Sequence, residues 1–175
     1  MSRIPEGECD DEESTRRWSL QRANTARQIK SKRGQAFLRE LLAAMEALPE
    51  KRLIEGAIAK DGCVCALGSL ALQRRVAAGE ERQAVLAELA THKVDPNKDD
   101  FNGVYIWDWA IRSLEAPGLI AWEIPAENDD DGERYVGHVA DPERPGKMVA
   151  KYEEITPEER YRRIVAWVKA QIHEQ

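Results

Sequence analysis

Apolar residues recur at three- and four-residue intervals through several stretches of this chain, the period that places them on one side of an α-helix. The clearest run is Ser31 to Leu48, where Phe37, Leu38, Leu41, Leu42, Met45 and Leu48 form one stripe and Pro49 ends it. The same period predicts helices from Cys65 through Ala77 (Leu67, Leu70 and Ala71 inward), from Glu80 to Lys93 (Val85, Leu86, Leu89), and from Phe101 to Glu115 (Trp107, Ile111, Leu114). A last helix follows Thr156-Pro157-Glu158-Glu159, which combines an N-cap, a proline at the first helical position and a carboxylate three residues on. It carries Tyr161, Ile164, Val165, Val168 and Ile172 on one face.

A weaker helix is predicted from an N-cap at Ser14 to Lys30, with only Trp18, Leu20, Ala26 and Ile29 as anchors. Two places break the helical period. Asp61-Gly62 is a turn pair that tolerates positive φ, so a strand at 57–60 would pair with Cys63–Val64 in a minimal ribbon that needs a helix to cover it. Tyr135–Val139 and Met148–Tyr152 alternate and are separated by Asp141-Pro142 and Pro145-Gly146, which reads as a hairpin with a long loop. Arg52 to Lys60 fits a short strand or an irregular helical turn, and Leu119 to Ile124 is apolar without a defining period. Glu127 to Glu133 reads as an acidic turn. The pattern therefore predicts an α+β chain, mostly α-helical, with five to six helices around a core and one or two short β-hairpins.

Charge divides the N-terminal part. Residues 1–13 hold one basic and six acidic residues, and residues 14–40 hold eight basic and one acidic. The expected organisation is an acidic disordered tail at 1–13, a basic peripheral helix at 14–30 and one globular domain at 31–175. The cations Arg16, Arg17, Arg22, Arg27, Lys30, Lys32 and Arg33 are candidates to meet a polyanion, or to be shielded by the acidic tail in cis. Net charge is −6, so the whole molecule is not a general polyanion binder. Three cysteines without a secretory leader are read as reduced thiols in a cytoplasm. No apolar run reaches the length of a membrane span.

Cys65 is the sharpest chemical candidate, because a cysteine at a helix N-terminus feels the positive end of the dipole. A cysteine enzyme also needs a base, and none of His92, His138 or His173 is tied to Cys65 by a motif. A small buried residue at a tight turn–helix junction is the preferred reading. Cys63 and Cys65 make a lone C-x-C without the second pair that structural zinc requires, so no metal and no cofactor are expected.

Asp129, Asp130 and Asp131 invite a calcium loop. With Gly132 at the sixth position the twelfth falls on His138, where a bidentate glutamate is needed, and the match fails. Trp107, Trp109 and Trp122 lie among acidic neighbours, which favours packing or a protein-facing patch over a base-stacking platform.

Residues 35–41, 49–54 and 62–68, then Glu127-Asn128-Asp129 and Thr156 to Tyr161, stand in an order that resembles small proteins encoded by phages and prophages, with a C-A-L-G element, a later N-D and a closing amphipathic helix. The resemblance covers roughly residues 31–70 and 119–172. It implies a shared packing unit built on Gly62, Cys65, Gly68, Asn128 and Asp129, with Asn128-Asp129 set against the turn around Gly62. It also implies a non-enzymatic phage or mobile-element accessory protein in a bacterial cytoplasm. Such a protein would bind a host protein or ribonucleoprotein complex, a CRISPR-type defence complex among them. The Arg-rich helix and Asp129, Asp130 and Asp131 are then the expected contact residues. The alternatives are a nucleic-acid-binding module using the basic 16–33 segment, a cysteine-dependent enzyme at Cys65, and a virion structural component.

Overall fold

The computed structural model describes residues 12–92, 103–129, 133–142, 144 and 146–173. Among them are seven helices and two antiparallel hairpins, a mostly helical α+β fold. The acidic segment 1–11, Lys93, Phe101, Asp130 and Asp131 lie outside the described residues.

Helix α1 (Glu12–Lys30) breaks at Ser31, which caps α2 (Lys32–Glu46) by accepting the Gly34 N–H at 3.0 Å. The break is tight: a Cβ at Gly34 would lie 2.1 Å from the Gln28 carbonyl oxygen. Ser14 lies inside α1 instead of capping it, because Glu12 and Glu13 already belong to the helix. Carboxylates suit a helix start, so Glu12 and Glu13 belong to the helix where they were read as the end of the tail.

The stripe on α2 is buried at Phe37, Leu38, Leu41 and Met45, and packs on α3 (Ala66–Ala77) and on α7 (Pro157–Gln171). Of the stretch 52–60 read as a short strand or helical turn, only Ala59–Lys60 is strand, and between α2 and α3 residues 51–58 form an irregular strap. Its polar groups are met from outside it, with Leu53 N–H donating to the Pro157 carbonyl and Ile54 N–H to the Val64 carbonyl. The ribbon is β1 (Ala59–Lys60) paired with β2 (Cys63–Val64), turning through Asp61 and Gly62 at φ 51° and 78°.

Helix α4 (Arg82–Leu89) is shorter than the 80–93 pattern suggests, because the Glu81 carboxylate caps it by accepting from Gln83 N–H and Ala84 N–H. That places Glu80 outside the helix. Next come α5 (Gly103–Leu114) and α6 (Gly118–Asp129). The segment 119–124 is thus helical, and Glu127, Asn128 and Asp129 form the last turn of α6, where an acidic turn was expected. The sequence signal was masked by Pro125, which sits inside the helix and costs about 3 kcal/mol in an exposed helix. Here Ile120, Ala121, Ile124 and Pro125 are buried, and that burial overrides the penalty. Helix α6 completes the core between α1, α3, α5 and α7.

The second hairpin pairs β3 (Glu133–Ala140) with β4 (Met148–Glu154) and bulges between Tyr135 and Gly137. Thr156 then starts α7 with both halves of a capping box: its hydroxyl accepts from Glu159 N–H, and the Glu159 carboxylate accepts from Thr156 N–H.

Candidate functional site

Two regions gather the residues singled out by the sequence. The first is the corner where the ribbon meets α3. Cys65 is the N-cap of α3: its Sγ accepts the Gly68 N–H at 3.3 Å, and it is 4% exposed. The pinched space beside it is lined by Leu67, Ile106, Ile124, Pro125 and Asn128. Cys65 N–H donates to the Ile58 carbonyl, and a Cβ at Gly68 would lie 2.3 Å from that same Ile58 oxygen. Ribbon and helix approach this closely because position 68 has no side chain. Gly62 stands apart from this contact, exposed at the turn.

Asn128 is buried, and its amide donates to the Ile54 carbonyl at 2.9 Å, so it holds the strap that leads to the ribbon. Its backbone carbonyl accepts from Arg160 Nε at 3.1 Å. Arg160, 4% exposed, also donates from Nη1 to the Leu53 carbonyl and from Nη2 to the Glu55 carboxylate. Arg163 reaches the Glu127 carbonyl at 2.7 Å. Two arginines in the first turns of α7 thus satisfy carbonyls at the end of α6, where the helix dipole favours cations. Arg160 went unremarked in the sequence, although its position four before Ile164 puts it on the apolar stripe. The imidazoles are placed elsewhere: His92 lies against the Trp109 ring at 5.9 Å, and His138 is exposed on β3.

The second region is the outer face of α1. Its inner side is tied down: Thr25 and Ile29 are buried, and the Gln28 side-chain oxygen accepts from Leu119 N–H and Ile120 N–H, capping α6. Gln35 joins the far ends of α1 and α7 by donating to the Ile29 and Gln171 carbonyls. At 100° per residue, Arg16 and Arg27 fall opposite Thr25 and Ile29, Arg17 and Lys30 lie on the flanks, and Arg22 is in line with Ile29 yet exposed. Lys32 and Arg33 continue the series into α2. All seven are exposed. Leu20, 58% exposed, sits among them.

These cations differ in their partners from several others on the surface. Elsewhere, Arg52, Arg74, Arg75, Arg112, Arg144 and Lys169 each lie within 4.0 Å of a carboxylate. Arg75 is held between Glu80 and Glu88, whose carboxylates lie below the usual range because they accept its hydrogen bonds. Arg74 does the same for Glu40. Among the described residues, Arg16, Arg22, Arg27, Lys30, Lys32 and Arg33 have no carboxylate partner. Arg27 donates only to Asn24 at 3.2 Å, and Arg33 to the Glu115 carbonyl at 2.7 Å.

Asp129 ends α6, whereas Asp130 and Asp131 fall outside the described residues. Among the described residues no cluster of three or more His, Cys, Asp or Glu side chains is arranged to hold a metal ion. No described helix is long and apolar enough to cross a membrane. Comparisons with protein-family models, curated proteins and solved structures return no match for this chain.

Proposed function

We propose that this protein acts by binding a macromolecule and carries out no chemistry of its own, with the outer face of α1 as its contact for nucleic acid. In the setting the resemblance implies, it is a phage or mobile-element accessory protein directed at a host nucleic-acid-handling complex, which it adjusts or blocks. The observation that carries this reading is the set of exposed α1 cations Arg16, Arg22, Arg27 and Lys30, which have no carboxylate partner among the described residues, whereas Arg74 and Arg75 are paired. A helix of 19 residues is about 28 Å long, enough to follow several phosphates of one strand. The burial of Cys65 and its use as a helix cap support the absence of a thiol nucleophile.

The test is equilibrium binding of labelled duplex and single-stranded oligonucleotides between 50 and 200 mM salt. Four phosphate contacts on duplex DNA would give a slope of about −3.6 in log K against log salt. Replacing Arg16, Arg22, Arg27, Lys30 and Lys32 by Gln should flatten that slope while leaving thermal unfolding in place. Absence of binding to any oligonucleotide at 50 mM salt would remove nucleic acid as the partner.

A further inference from the structure

A cleft of about 600 Å³ opens on the side of the ribbon away from Cys65, within the range of roughly 300–1,000 Å³ typical of ligand pockets. Four elements meet there: the strap after α2, the β1–β2 turn, and the first turns of α4 and α7. We infer that this cleft binds a carboxylate-bearing peptide segment with apolar neighbours, as an acidic stretch of a protein partner would supply.

The floor is apolar, with Ile54, Val64 and Leu86. The cations around it fall into two groups. Arg160 is committed to the fold through Glu55 and two carbonyls. Lys60 and Arg82 have neither a hydrogen bond nor a carboxylate partner among the described residues. Arg52 is already engaged: its Nη1 is bonded to Glu50 at 3.0 Å, and its Nε lies 3.9 Å from the Glu158 carboxylate. Lys60 and Arg82 are therefore the cations left to meet an entering anion. The N-termini of α4 and α7 border the same space, each already capped by a carboxylate, Glu81 and Glu159.

The ligand's charge follows from the acids in the lining. Glu50, Glu55 and Asp61 face the same cleft and would repel a phosphate dianion. A single carboxylate is the anion that Arg52 and Arg160 already hold. The floor then requires apolar side chains beside it. Cys63, half-buried in the wall, reports on occupancy. None of this depends on α1, which does not line the cleft.

The probe is a fluorescein-labelled, C-terminally amidated hexapeptide of leucine and serine with one central aspartate, titrated by anisotropy. Versions with asparagine or phosphoserine in place of aspartate run beside it. In parallel, iodoacetamide alkylation of Cys63 is followed by mass spectrometry. The aspartate peptide should bind, slow Cys63 alkylation and outcompete both other versions. Lys60→Gln with Arg82→Gln should weaken it about tenfold, the effect of one lost charge-assisted contact. Both side chains lie outside the core, so unfolding should stay unchanged. The α1-neutralised protein should bind the peptide normally, which separates this cleft from the nucleic-acid reading. Equal affinity for the asparagine peptide, unchanged binding by the double variant, or alkylation of Cys63 unaffected by saturating peptide would each overturn the inference.

Discussion

The corner around Cys65 and the outer face of α1 are equally conspicuous in the sequence, and the fold treats them in opposite ways. At the corner the polar and reactive groups are consumed internally. Cys65 caps its own helix, Asn128 holds the strap, and Arg160 spends its guanidinium on two carbonyls and Glu55. On α1 the inner side does structural work through Gln28, Thr25 and Ile29, while Arg16, Arg27 and Lys30 have no carboxylate partner among the described residues. A residue type therefore does not mark a functional site; what marks it is whether the fold has already used the group.

That contrast can be broken by substitution. The largest effect should come from Gly68→Ala, whose new Cβ meets the Ile58 carbonyl oxygen where neither backbone can yield easily. A loss of about 3 kcal/mol is expected in urea unfolding, as for overpacked sites. A Gly68→Ala protein as stable as the parent would mean that the ribbon does not press on α3.

Arg160→Met should follow, losing about 2–3 kcal/mol. Its charged hydrogen bonds to the Asn128 and Leu53 carbonyls are each worth roughly 1.5–3 kcal/mol, and the methionine stem recovers part by packing. Hydrogen exchange should speed up at the end of α6 and along the strap, and not in α1. Cys65→Ser should change stability by less than about 1 kcal/mol, since serine caps a helix well. In the parent, Cys65 should be alkylated only as fast as the corner opens, and Cys63 much sooner.

A smaller effect concerns α6. Burial, then the nearby Glu127, pushes the Glu123 carboxyl above the usual 4.5. The folded state therefore holds that proton more tightly than the unfolded chain. Its contribution is fully present below pH 4.5 and is lost as pH rises through the folded value. Glu123→Gln should stabilise the protein slightly at pH 7 and not at all at pH 4, measured by urea midpoints at the two pH values. An equal gain at both would trace the effect to something other than ionisation.

Much of this architecture was legible in the chain. The α2 stripe, the Asp61-Gly62 turn and the capping box at Thr156 each rest on a local rule that the tertiary structure reinforces. What escaped depends on distant partners. α6 was hidden because Pro125 argues against a helix, and only burial against four other helices outweighs it. The strap at 51–58 has no period of its own because its hydrogen bonds are made to α7 and β2. Arg160, Gln28 and Gln35 look like surface residues until the carbonyls they reach are placed beside them. The C-x-C motif was read through Cys65, whereas the ribbon turns Cys63 toward the open cleft. The α1 cations were legible as a cluster, but which of them lack a carboxylate partner among the described residues was not.

The measurement that bears most directly on the division between consumed and remaining groups is the salt dependence of oligonucleotide binding, taken on the parent and on the protein with Arg16, Arg22, Arg27, Lys30 and Lys32 replaced by Gln. The account requires a steep negative slope in the parent, a flattened one in the variant, and coincident unfolding curves. Identical slopes, or a variant that unfolds earlier, would place those five cations among the groups the fold consumes and contradict it.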